Sequence, residues 1–241
     1  MKTTLLSFVT LLTLSSGICT AKGGGDDSKI LIGVSVGAGL PMGAFGTADN
    51  TPANDNSHIN GWAKTGLHFD LNAGYKFTDN IGGMLMIGGN MNAFNASAFD
   101  AKNPHPGYTT TATSHYIGSY MVGPFLNLPV GDKFAITARV LVGLMTAKFA
   151  EITETAGSST FVTKYATPST FGYDAGAGVK IGLTDALGLA INVDYLGGTP
   201  TFVSYTTTAN TAIGSSATTH TGSAAMSTGL VNLSVGIVLG F

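Results

Sequence analysis

The chain has a single arginine, Arg139, and three aspartates, Asp70, Asp174 and Asp194, lie at comparable offsets from short turn motifs along the sequence. A guanidinium is a planar fork of five donors and an ionised carboxylate is acceptor-only, so these four groups suit charge-assisted pairing. Asn72, Asn192 and Asn232 share their alternation and add amides that both donate and accept. At a rise of about 3.3 Å per residue the four charges reach similar heights, where they are expected to form a satisfied polar plug. Lys76 and Lys180 have the same parity but sit nearer the turns. The other chemistry open to such a cluster is a gate, in which breaking the Arg139 pairs opens a narrow ionic path.

Catalytic chemistry is less well provided for. Of the five histidines, His58, His68, His105, His115 and His220, four lie in or beside long polar segments. A serine nucleophile needs a histidine within reach and an acid to orient it. "SHY" (Ser114, His115) and "THTGS" (His220, Ser223) are the candidates, but adjacent residues on a strand point to opposite faces. No pair of His, Asp or Glu recurs at metal-ligand spacing, and "GGGDD", with Asp26 and Asp27, reads as a flexible lead-in. No catalytic residue, metal or cofactor is expected.

These residues belong to segments with a period of two. From Leu67 to Phe77, the residues Leu67, Phe69, Leu71, Ala73, Tyr75 and Phe77 alternate with His68, Asp70, Asn72, Gly74 and Lys76. That is a strand with one oily and one polar face. The same signature covers Ile30–Leu40, Ile81–Ala93, Tyr116–Leu128, Phe134–Met145, Phe171–Leu183, Leu187–Tyr195 and the closing "VNLSVGIVLGF", giving eight strands. Three joints are tight: "TDN" (78–80), "PVGDK" (129–133) and "TDA" (184–186). The other four, near 41–66, 94–115, 146–170 and 196–225, are long and rich in Thr, Ser, Ala, Asn and Gly, and short and long joints alternate. Loops of that composition are expected to be hydrated and mobile, or to recognise a surface ligand through hydroxyls and amides.

Composition gives the apolar faces a destination. The 241 residues are only 10% charged, against roughly 25% in soluble domains, and contain 34 glycines. No run of about 18 apolar residues follows the N-terminal segment, so helical spans are not expected. Residues 1–21, with Lys2, an apolar stretch from Leu5 to Leu14 and small residues before Lys22, read as a cleaved signal peptide. Cleavage there removes Cys19, the one cysteine, and leaves a mature domain over 22–241 whose first residues, 22–28, are a periplasmic lead-in. A net charge of -2 with no basic patch gives no nucleic-acid partner.

Two-faced strands joined alternately by tight turns and long loops suit an all-β, eight-stranded antiparallel up-and-down transmembrane barrel, with tight turns in the periplasm and four long loops outside. The strand charges, His68, Asp70, Lys76, Arg139, Asp174, Lys180 and Asp194, all oppose the apolar stripe. Lipid outside and a polar lumen inside accommodate that division. A soluble barrel of opposite orientation would have an outer surface of little but Gly, Ser, Asn and a few charges.

"LHFDLNAGYKFTDNIGGMLMIGG", "LGLAINVDYLGG" and the terminal "VNLSVGIVLGF" resemble the small outer-membrane barrels of the OmpA-transmembrane-domain and OmpX type, the "porin family" of outer-membrane β-barrels. The resemblance spans about 22–241. It implies a monomer embedded in outer-membrane lipid, with Phe241 presented to the assembly machinery as the end of a C-terminal sorting strand. It also implies a structural, membrane-integrity or surface-interaction role. A narrow passive channel is the alternative. Lipid-modifying barrel enzymes also occur in this group, but neither histidine motif matches the histidine-x-serine arrangement associated with lipid A deacylases.

Overall fold

The computed structural model describes residues 29–49 and 59–240; the signal-peptide boundary and Phe241 lie outside them. Eight strands form a closed barrel: β1 (Ile30–Met42), β2 (Gly66–Lys76), β3 (Ile81–Ala93), β5 (Ser114–Pro129), β6 (Phe134–Lys148), β9 (Ser169–Gly182), β10 (Leu187–Gly198) and β13 (Thr228–Leu239). The order around the wall is β1-β13-β10-β9-β6-β5-β3-β2, with every neighbouring pair antiparallel. Closure leaves no unpaired edge, the condition for crossing hydrocarbon with strands.

The tight joints form as their residues dictate. In the first and third, a threonine hydroxyl accepts from the incoming strand: Ile81 N donates to Thr78 Oγ1 at 3.1 Å, and Leu187 N to Thr184 Oγ1 at 3.1 Å. At the middle one, Val130 N donates to the Phe134 carbonyl at 2.7 Å, with Gly131 at φ 76°.

The pleat then sorts side chains. Outward residues such as Leu71 (52% exposed), Leu85 (62%) and Val193 (51%) form an apolar belt, while inward Asp70, Asp174 and Asp194 are 1–2% exposed. Lys148, the last residue of β6, is the one charge on the outward parity of the eight strands, and its ammonium lies 5.7 Å over the Tyr116 ring. A lysine stem along an apolar wall with its head at an aromatic girdle is how such a residue sits at a membrane interface.

The long joints differ from the expected hydrated loops. Five further strands, β4 (Thr109–Ala112), β7 (Ile152–Ala156), β8 (Ser159–Tyr165), β11 (Thr201–Thr211) and β12 (Gly214–Ala225), form a second sheet in the order β12-β11-β8-β7-β4. Threonine is β-branched and favours strands once partners exist, so Thr-rich segments from three loops pair with one another. The β7–β8 hairpin turns at Gly157, at φ 57°. Two short helices, α1 (Gly43–Gly46) and α2 (Ala96–Lys102), complete the outer end, and the Asn95 side chain caps α2 by accepting from Ala98 N at 3.3 Å.

Candidate functional site

Register decides which groups meet in the lumen. Across β6, β9, β10 and β13, one inward row holds Thr137, Gly178, Asn192 and Ser234. The next holds Arg139, Gly176, Asp194 and Asn232, and the one above it Leu141, Asp174, Leu196 and Leu230. Gly176 separates Arg139 from Asp194 in their row, and a Cβ there would run into the Asp194 carboxylate. The missing side chain lets the pair close: Arg139 Nη2 lies 2.7 Å from Asp194 Oδ2. Arg139 Nε approaches Asp174 Oδ1 at 3.6 Å, an ion pair beyond hydrogen-bonding distance.

Asp70 stands on β2, across the barrel from β9, and has local partners. Asn72 Nδ2 donates to its Oδ1 at 2.9 Å, and His68 Nε2 lies 3.3 Å from its Oδ2. Asn232 is the cross-strand neighbour of Asp194, yet its Oδ1 is buried without a partner. Asn192 sits one row lower, over Gly178. The structure thus joins Arg139 to Asp174 and Asp194 and gives Asp70 a separate set of partners. Nearer the turns, Lys180 is buried, with Nζ 3.5 Å from Asn127 Oδ1 and 5.9 Å over the Phe125 ring, while Lys76 is half-buried.

Apolar groups absent from the sequence reading lie on both sides of the charges. Towards the turns stand Leu31, Met84 and Phe125, and towards the outer end Met121, Leu141, Met145, Leu196 and Leu230, all buried. Their signal is present in the sequence: they are apolar residues on the otherwise polar parity. Parity also gives no hint of the contacts made by His68 and Asn92. Asn92 ties the first long joint to the wall by donating to the Gly39 and Lys64 carbonyls at 2.9 and 2.8 Å.

At the mouth, rings from four different connections converge. Phe45, Phe94 and Phe149 surround the fully buried His115, with centroids 5.3, 5.8 and 4.7 Å from its ring. Phe149 also contacts Tyr165 and Phe202, at 4.7 and 5.9 Å. Burial pushes the Tyr165 hydroxyl above the usual tyrosine range, with the neighbouring Tyr205 adding to the shift. Trp62 packs on Phe99 at 5.5 Å and is held at φ 55°, with Asn95 N donating to its carbonyl at 2.8 Å. A left-handed tryptophan is uncommon and persists only where surroundings over-determine it.

His115 does not form a dyad with Ser114. Its Nδ1 accepts from Ala150 N at 3.1 Å, and its ring faces the aromatic core. His220 stacks on Tyr205 at 4.7 Å and 16° on the outer sheet. Among the described residues, no three His, Cys, Asp or Glu are arranged to hold a metal.

No protein-family model matches the chain, and no curated protein matches it. Among solved structures, it is similar to a major outer membrane protein from Thermus thermophilus, with TM-score 0.52 and 10% identity over 87% of this chain and 99% of that one. It is similar to the outer membrane protease OmpT from Escherichia coli, with TM-score 0.53 and 8% identity over 88% and 96%. Neisserial surface protein A aligns at TM-score 0.44 and 13% identity over 89% and 98%. The chain has the fold of the outer-membrane β-barrels, and its exposed apolar belt has the chemistry of a lipid-facing surface.

Proposed function

We propose that this protein is a sealed, non-enzymatic, monomeric barrel that anchors its outer five-stranded sheet at the cell surface for interaction with a surface ligand. The observation carrying this reading is the layering of the lumen. Apolar side chains fill it on both sides of the Arg139 layer, and the aromatic core covers the mouth. An eight-stranded barrel has an interior only wide enough for side chains, so filled layers leave no aqueous path. The plug of Arg139, Asp174 and Asp194, with Asp70, Asn72, Asn192 and Asn232 around it, then serves to hold the barrel in register. Phe241 serves as the assembly signal of the last strand. The two motif histidines have other engagements, His115 Nδ1 accepting from Ala150 N and His220 stacking on Tyr205, which fits a non-enzymatic role.

Proteoliposome ion flux tests the reading. An imposed KCl gradient should decay no faster with the refolded protein than in empty vesicles, and rapid, protein-dependent decay would contradict it. The channel reading has one observation in its favour, a small cavity beneath Arg139. The same flux assay decides against it if the vesicles stay tight.

A further inference from the structure

The cavity beneath Arg139 offers ≈ 30 Å³ to water-sized occupants, room for about two. Lys180 lines it and is 8% exposed. Among the described residues no carboxylate lies in ion-pair reach of this ammonium, and its hydrogen-bond partner is Asn127 Oδ1 at the long distance of 3.5 Å. Asp194 also lines the cavity but is committed to Arg139 at 2.7 Å. Burial disfavours an unpaired ammonium, and a bound counter-charge stabilises it.

The remaining lining supplies donors. The Thr137 hydroxyl and Asn192 Oδ1 converge over the bare Cα of Gly178, and Ser35 adds a second hydroxyl, so the two hydroxyls can donate while the amide oxygen only accepts. With Arg139 and Asp194 paired to each other, Lys180 is the unbalanced charge of the lining, so the pocket's balance selects an anion. Its size restricts that anion to a monatomic one with at most a companion water.

We propose that the turn-side half of the lumen holds a halide ion, in physiological terms chloride, bound by Lys180 with the Thr137 and Ser35 hydroxyls. The ion neutralises the positive half of the lumen as Arg139 neutralises part of the aspartate-rich half, and so helps to keep the barrel filled and shut. The site goes beyond the sealed-barrel reading and does not depend on the outer sheet's role.

The test uses the refolded mature protein in detergent, probed with chloride, bromide and gluconate at equal ionic strength. Binding to the folded state alone raises stability with the logarithm of ligand concentration. Tm is therefore expected to rise with chloride or bromide and not with gluconate, and Lys180→Met should abolish the difference. Should Lys180→Met fail to fold, bromide-soaked crystals of the wild type provide the second measurement, with anomalous density expected beside Nζ. Equal Tm in chloride and gluconate, an unchanged chloride response in Lys180→Met, or water alone beside Lys180 in the bromide crystals would each overturn the site. A conducting barrel that still shows bromide at Lys180 would sink the sealed reading and leave the anion site standing.

Discussion

Around Arg139 the buried groups are charged and unevenly matched, two carboxylates to one guanidinium, whereas around Phe149 at the mouth they are rings packed tilted or edge to face within 4.7 to 6.4 Å. Both regions are buried, but they differ in what losing one member does. Removing one ion of a buried pair strands the other in a low dielectric, and its cost spreads to every strand that carries a charge. Removing one ring leaves a cavity whose cost depends on local collapse. The lumen charges therefore hold the whole barrel, while the mouth core couples the outer sheet to a barrel that is already closed.

Arg139→Ala should have the largest effect, about 3–5 kcal/mol lost in urea unfolding of the refolded barrel. The double change Asp174→Asn with Asp194→Asn should recover part of that loss in the Arg139→Ala background, since it removes the stranded charges. No recovery would break the distinction between charge and packing. Phe149→Ala is worth about 3–5 kcal/mol to its own surroundings by the usual range for buried aromatics. Hydrogen exchange should show that loss in β7, β8 and β11 and not in β2 or β13. Uniform loss would mean that mouth and barrel are one cooperative unit.

Leu233→Arg puts a charge on the lipid face, which costs about 2–4 kcal/mol near mid-membrane. Refolding yield into vesicles should fall, while Ser215→Arg, on the exposed β12, is tolerated. Equal tolerance at both positions would contradict the register. The smallest expected effect is at alkaline pH. Burial raises the Tyr165 hydroxyl above the tyrosine value of about 10 that holds in the unfolded chain. Its contribution is thus complete below about pH 10 and is lost as pH rises through the folded value. Exchange protection of the outer sheet should decline there in the wild type and less steeply in Tyr165→Phe.

The two regions also differ in how much the sequence disclosed. Period-two alternation over Leu67–Phe77 or Val231–Leu239 has one physical cause, a wall between lipid and lumen, so strand positions and faces could be read from parity. Height along the wall follows from residue count, but contact across the lumen depends on stagger. Parity alone therefore does not separate Asp70, with its own His68 and Asn72, from the Arg139 pairs. The mouth core was illegible for a different reason. Phe45, Phe94, Phe149 and Phe202 stand singly in four segments with no period, and only the closed barrel brings those segments together. Threonine-rich stretches such as Thr206–Thr208 read equally well as hydrated coil or strand, and pairing partners from other loops decide between them.

Single-channel recording in planar bilayers of the wild type, Arg139→Ala and the double variant Arg139→Ala with Phe149→Ala tests the double closure most directly. The wild type and Arg139→Ala are predicted to be silent, because the apolar layers and the aromatic mouth remain, with openings confined to the double variant. Steady conductance in the wild type, or in Arg139→Ala alone, would contradict the sealed lumen and make Arg139 the gate of a narrow channel.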